Sequence, residues 1–268
     1  MALADFNDAL RIDPGFATTF NNRGLLYKRM GELHRSLDDF TTAIRLNPQN
    51  HDAFYNRATV FRALGDPENA IRDCGEAIRL EPSDPDPFIV RGNAFADENN
   101  ANAAIADYDQ AIRLRPDIAL AYVSRANTLL TIGRAEEAMA SYEHVLRIDP
   151  GNAAAALGRC LVWLATGSAD WDRHECTHTV EPQLKQSKYA AFRGLVLLKS
   201  GRYEEARAAF DDDLQHHSPT GFLSLYGRGV VRLKFGDVAG AEQDFAAARR
   251  LNPEIDAWFV TAGFRKER

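Results

Sequence analysis

Six short tails, each an apolar residue, a polar residue and a proline, recur along the chain: Ile12-Asp13-Pro14, Leu46-Asn47-Pro48, Leu80-Glu81-Pro82, Leu114-Arg115-Pro116, Ile148-Asp149-Pro150 and Leu251-Asn252-Pro253. The first five prolines stand 34 residues apart. A fixed period of this length restricts the chain to architectures in which one small unit stacks on the next. Proline has no amide hydrogen and clashes with the preceding helical turn, so each one closes a unit. Counting from the third residue after each proline gives repeats 17–50, 51–84, 85–118, 119–152, 153–186, 187–221 and 222–255, the sixth one residue longer. A half repeat, 1–14, precedes them and a single helix, 256–266, follows, so one continuous array over 1–268 is expected.

Within this frame, large and small residues keep fixed places. Position 4 holds Phe20, Phe54, Phe88 and Tyr122, and position 8 holds Gly24, Ala58, Gly92, Ala126, Cys160, Gly194 and Gly229. Position 20 holds Ser36, Ala70, Ala104, Ala138, Ala206 and Ala241; position 24 holds Phe40, Cys74, Tyr108, Tyr142, Cys176, Phe210 and Phe245. Positions 4, 8 and 11 fall on one helical stripe and 20, 24 and 27 on another, which predicts two amphipathic helices per repeat and no strand. Glycine at position 15 (Gly31, Gly65, Gly133, Gly167, Gly201, Gly236) suits the left-handed residue that ends a helix. The pattern resembles the tetratricopeptide repeat family over essentially the whole chain. The resemblance implies an all-α, right-handed superhelical α-solenoid of antiparallel helix hairpins that binds other polypeptides along its concave face.

Repeats 5 and 6 depart from the pattern. Repeat 5 has Asp172 at position 20, where a small residue is expected, which predicts looser helix contact. Repeat 6 has Asp213 where alanine usually fills position 27, and the loop His216-His217-Ser218-Pro219-Thr220-Gly221 follows, which predicts a bend or loosening of the stack.

The formal net charge of −6 argues against a chain that grips nucleic acid or an anionic membrane, since both require clustered positive charge. No apolar run approaches a membrane span, and the start of the chain lacks the pattern of a signal peptide. Three cysteines, Cys74, Cys160 and Cys176, with no CxxC among them, suggest neither a disulfide framework nor a zinc cage; a reducing, cytoplasmic setting is expected, with an upstream targeting segment left open.

Two constellations carry chemistry. His174-Glu175-Cys176-Thr177-His178 is an HExxH string whose histidines would share one helical face, as zinc ligation requires. The repeat frame gives Cys176 a packing position and turns both histidines outward, so no cofactor, no metal site and no enzymatic activity are expected; a zinc-dependent hydrolase is the alternative. Arginine occupies position 7 of all seven repeats: Arg23, Arg57, Arg91, Arg125, Arg159, Arg193 and Arg228. Aspartates at position 23 (Asp39, Asp73, Asp107, Asp244) recur in step, which predicts a structural ion pair inside each hairpin.

In the family resembled, positions 2, 5, 9, 12 and 13 face a peptide or protein in the groove. The polar candidates here are Asn21, Lys28, Tyr55, Thr59, Arg62, Asn93 and Asn127, with Arg29 and Asp97 beside them. The C-terminal candidates are Leu161, Leu195, Tyr226 and Val230, accompanied by Leu157, Leu164, Leu198 and Leu233. Either these apolar residues form an open groove for a partner's hydrophobic segment, or tighter coiling buries them. The lysine that the family's carboxylate-gripping members carry at position 5 is missing throughout, so a clamp on a chain terminus is not expected. A further alternative is weak head-to-tail self-association, because the helix at 2–13 (Ala2, Phe6, Ala9) and that at 256–266 (Phe259, Ala262, Gly263) are complementary halves.

Overall fold

The computed structural model describes residues 2–166, 176, 190–216 and 221–261, which contain fifteen helices and no strand. These are α1 (Ala2–Ile12), α2 (Ala17–Arg29), α3 (Leu33–Leu46), α4 (His51–Ala63), α5 (Pro67–Leu80), α6 (Asp86–Asp97), α7 (Ala101–Leu114), α8 (Ala119–Thr131), α9 (Ala135–Ile148), α10 (Ala153–Thr166), α11 (Ala190–Lys199), α12 (Tyr203–Gln215), α13 (Gly221–Lys234), α14 (Val238–Leu251) and α15 (Ile255–Thr261). The chain is thus an all-α solenoid of helix hairpins, divided into two compact units, 1–134 and 135–268. Among the described residues no helix is long and apolar enough to cross a membrane.

Helix boundaries follow from single residues. The side chains of Asp66, Asn100 and Asp237 accept hydrogen bonds from the amides three residues on, at 3.1, 3.3 and 2.9 Å, and so satisfy donors that the first helical turn leaves open. First helices end on a residue with positive φ at position 15: Gly31, Gly65, Gly133, Gly201 and Gly236. In repeat 3 that place is taken by Asn99, at φ 60°, because asparagine tolerates the left-handed region better than other residues with a side chain.

In the unit 1–134, each helix packs on the next from α1 to α8, and the first helices α2, α4, α6 and α8 also touch one another in a row. That row is the inner layer, and α1, α3, α5 and α7 are the outer one. In the unit 135–268, α9 packs on α10 and α11 to α14 pack in succession; α11 touches α13, and α15 touches α10, α13 and α14.

The closest approach in a hairpin is between positions 8 and 24. A Cβ on Gly24 would lie 2.8 Å from the ring of Phe40, on Gly92 2.7 Å from Tyr108, on Gly194 2.3 Å from Phe210 and on Gly229 2.6 Å from Phe245. Repeat 2 uses a larger residue at 8 and a smaller one at 24, Ala58 with Cys74, both fully buried beside Ala70. In repeat 5 the same two positions are Cys160 and Cys176, and they are joined as a disulfide with their Cα atoms 5.7 Å apart. This corrects the expectation that no disulfide forms: an odd number of cysteines leaves one free, and the free one is the buried Cys74. Burial pushes the Cys74 thiol up to about 12.

While residues 217–220 of the loop that follows it lie outside the described residues, Asp213 makes a contact instead of loosening one. It is fully buried, and the hydroxyl of Ser224 on α13 donates to its Oδ2 at 2.6 Å, so a polar pair bridges α12 and α13 where other junctions use alanine. At the C-terminal end, Phe259 of α15 is fully buried and its ring lies 4.2 Å from that of Tyr226. Ala262 and Gly263, the other residues of the expected docking half, lie outside the described residues, as do Asp172 and most of the segment around it.

Gly92→Ala is expected to destabilise the protein by about 1–3 kcal/mol, since the new methyl overlaps Tyr108 in a packed core. Gly65→Ala meets no atom, so its cost, seen in the same urea titration, should be the smaller one of a strained positive φ.

Candidate partner-binding site

The arginines at position 7 lie next to the close contact at position 8, and this adjacency sets what they can reach. Arg23 places Nε and one terminal nitrogen on the two oxygens of Asp39, both at 2.7 Å. Arg57 does the same to Asp73 at 2.6 and 2.9 Å, Arg91 to Asp107 at 2.7 Å twice, and Arg228 to Asp244 at 2.8 and 2.7 Å. The remaining nitrogen often turns to position 25 of the preceding repeat: Asn7 for Arg23, Thr41 for Arg57 and Asp211 for Arg228. Where position 23 is not acidic, the partner shifts. Arg125, whose repeat has Ser141 there, bonds Asp109, and Arg193, whose repeat has Ala209, bonds Asp212. The bond to Asp107 holds the Arg91 pKa above its usual value, and that to Asp244 does so for Arg228. In repeats 1, 2, 3 and 7 the position-7 arginine is therefore structural, as its spacing predicts, while Glu175, the position-23 partner expected for Arg159, lies outside the described residues.

With position 7 committed, the inner row of the unit 1–134 presents the other polar side chains. Asn56 Nδ2 donates to Asn21 Oδ1 at 3.2 Å, linking α4 to α2, and both residues are buried. One turn further along, Lys28 Nζ donates to Thr59 Oγ1 at 2.6 Å, while the Thr59 hydroxyl donates to the Asn56 carbonyl at 2.7 Å. Arg62 Nε donates to Asp97 Oδ2 at 2.7 Å across α4 and α6, with both side chains well exposed. The Tyr108 hydroxyl donates to Asn93 Oδ1 at 2.9 Å, and burial pushes this phenol up to about 12. Tyr55 is half-buried, and burial, with Asp86 and Asp84 nearby, raises its pKa. Asn127 is exposed on α8.

Lys28 differs from the other cations. It is half-buried, its one polar partner among the described residues is the neutral Thr59, and burial lowers its pKa with no acid to oppose the shift. Neighbouring Arg29 is exposed.

The family model described as tetratricopeptide repeat matches residues 21–85, 89–168 and 193–254. The chain belongs to the tetratricopeptide repeat family. None of the curated proteins matches it in sequence. Among solved structures, a tetratricopeptide repeat protein from Parabacteroides merdae ATCC 43184 aligns over 92% of this chain and 98% of its own, at TM-score 0.67 and 16% identity. YrrB, described as a TPR protein with an unusual peptide-binding site, aligns over 73% and 97% at TM-score 0.56 and 19% identity. MamA aligns over 62% and 97% at TM-score 0.55 and 21% identity. At these identities the likeness concerns the fold.

The apolar half of the expected groove takes a different form in this tetratricopeptide chain. Leu161 is 9% exposed, Leu195 0%, Tyr226 2% and Val230 6%, and Leu157 and Leu198 are also buried. These residues are core, because α11 closes on α13 and α15 reaches α10 along the same inner face. Tyr226 donates its hydroxyl to Asp256 of α15 at 2.6 Å, and Arg249 holds the same carboxylate at 2.6 and 3.0 Å, so Tyr226 seats the last helix. Of the HExxH string only Cys176 lies within the described residues, where it is disulfide-bonded; His174, Glu175 and His178 lie outside them. No group of three or more potential metal ligands occurs among the described residues. Asn56 and Thr128 are the polar contributors that the family's contact positions do not include; Asn56, at position 6, was visible only as an asparagine adjoining position 5.

Asp73 is 2% exposed and Arg57 15%, so removing either partner strands a desolvated charge. Asp73→Ala is expected to cost about 3 kcal/mol in chemical denaturation, and Arg57→Met combined with Asp73→Leu less than the sum of the single changes.

Proposed function

We propose that this protein is an interaction scaffold, not a catalyst, and that the inner row of the unit 1–134 binds an extended internal segment of another protein carrying an acidic side chain opposite Lys28. The observation that carries the reading is Lys28 itself, a half-buried ammonium whose one partner among the described residues is a neutral hydroxyl. A carboxylate placed there would form a charge-assisted hydrogen bond in partly desolvated surroundings. The neighbouring asparagine pair supports an extended ligand. Its single internal bond leaves the Asn21 Nδ2 group and Asn56 Oδ1 without partners among the described residues, a donor and an acceptor suited to a peptide backbone. Position 5 reads Asn21, Tyr55, Ile89 and Val123 in this unit, with no lysine, which favours a segment interior over a chain terminus. That YrrB, of the same fold, is described as having an unusual peptide-binding site supports peptide binding as the class of function.

Selection from a random displayed peptide library against the immobilised full chain tests the reading. The wild type is expected to enrich sequences containing Asp or Glu. Lys28→Met should lose that preference and bind the selected peptides about tenfold more weakly, with its helical spectrum unchanged. Enrichment of no sequence would refute the binding row, and an acidic preference that survives Lys28→Met would refute the role of Lys28.

A further inference from the structure

We propose that Cys160 and Cys176 form a redox-reversible closure of repeat five, a modification site at which a covalent bond replaces the wedge that holds other repeats shut. The proposal is independent of the binding row. Positions 8 and 24 meet in every hairpin whose contact is described, as Gly24 with Phe40, Gly92 with Tyr108, Gly194 with Phe210 and Gly229 with Phe245. Two cysteines at these positions stand where the hairpin brings side chains together, and the structure joins them.

Repeat 2 serves as an internal comparison. It closes on Ala58 and Cys74 without an aromatic residue at position 24, helped by Ala70 at position 20 and Ile71 at 21, with Phe61 and Val90 packed around them. Repeat 5 has Asp172 and Arg173 at positions 20 and 21. Neither is an apolar residue like Ala70 or Ile71, and the sulfur bond is the described link between positions 8 and 24 of this repeat.

The chemistry is thiol–disulfide exchange with a dithiol reductant. One reductant thiolate attacks one of the two sulfurs and expels the other cysteine as a thiolate, forming a mixed disulfide. The second reductant thiolate then attacks the reductant's own sulfur in that bond and releases the first cysteine. Two electrons pass to the cysteine pair, two protons are taken up, and the reductant leaves as its cyclic disulfide. A small-molecule disulfide such as oxidised glutathione drives the reverse reaction. Cys160 is 1% exposed and Cys176 2%, so exchange proceeds through transient opening around the bond, and the rate of exchange reports how often that opening occurs. Cys74 is buried in the other unit and its thiol is held largely protonated, so it does not compete as a resolving thiol.

The test uses the full chain, equilibrated with oxidised glutathione or with dithiothreitol. Alkylation and mass spectrometry read the bond, and hydrogen exchange reads α10. The oxidised chain is expected to show Cys160 and Cys176 joined. Reduction should speed α10 amide exchange by roughly a hundredfold, as release of a cross-link over a loop of this length implies, and leave α2 to α6 unchanged. Cys160→Ser with Cys176→Ser should behave like the reduced wild type in both buffers. Cys160→Gly with Cys176→Phe, which rebuilds the wedge of repeats 1, 6 and 7, should regain protection and lose its response to reductant. Free thiols at both positions after glutathione oxidation, or identical α10 exchange in the oxidised and reduced wild type, would overturn the proposal.

Discussion

The approach of position 8 to position 24 is the contact on which the rest of the hairpin depends. Because positions 8 and 24 fit together, as glycine against an aromatic ring or as Ala58 against Cys74, the two helices of a repeat come close enough for their neighbouring positions, 7 and 23, to meet as well. The arginine–aspartate fork is in this sense a consequence of the wedge: both pairs are 16 residues apart and lie side by side on the same two helices. The fork then adds what an apolar wedge lacks. A ring against a glycine tolerates some sliding, whereas two parallel bonds from a guanidinium to a carboxylate do not. Where the third nitrogen reaches back to position 25, the fork also fixes each repeat on the one before it. Aromatic residues at position 4 complete the arrangement, with the guanidinium carbons of Arg23, Arg57, Arg91 and Arg125 between 5.5 and 5.8 Å from the ring centres of Phe20, Phe54, Phe88 and Tyr122.

The same scaffold carries two different inner faces. In the unit 1–134 the first helices present asparagine, lysine, threonine, arginine and aspartate, which bond to one another in pairs and keep part of their capacity open. In the unit 135–268 the corresponding positions carry leucine, valine and tyrosine, which have no reason to stay in water. They draw α11 onto α13 and α15 onto α10 until the face becomes core. The polar face stays partly hydrated because burying it completely would leave amide and ammonium groups short of partners.

This difference explains what could be read from the amino acids alone. Period, hairpins, helix ends and the arginine–aspartate pairing were legible, because each depends on residues within one repeat that recur in step. The substitution of Asn99 for a position-15 glycine fits the same logic. Whether Leu161 and Leu195 are lining or core was not legible, because it depends on how tightly successive hairpins coil, a property of contacts between repeats. The Asp213–Ser224 pair escaped notice for a similar reason: its two halves sit in different repeats, so the aspartate alone looked like a defect. The disulfide is a different case. Its two cysteines stand at positions 8 and 24, which meet in the hairpin, and an odd number of cysteines carries no information about that adjacency.

The two cations on the polar row, Lys28 and Arg62, are not equivalent to an incoming acid. Arg62 already holds Asp97, so a ligand carboxylate there would exchange one exposed ion pair for another and gain little, since such pairs contribute about 0–1 kcal/mol each. Lys28 has lost part of its hydration in folding and has found a hydroxyl in return. A carboxylate that reaches it displaces no competing anion from the row, and part of the desolvation that weakens ordinary surface ion pairs has already occurred. On the proposed reading, preference for an acidic residue would concentrate at the α2 end of the row, next to the asparagine pair that would hold the ligand backbone. Binding strength and binding register would then be set within neighbouring turns of α2 and α4, with the remaining repeats holding those turns in place.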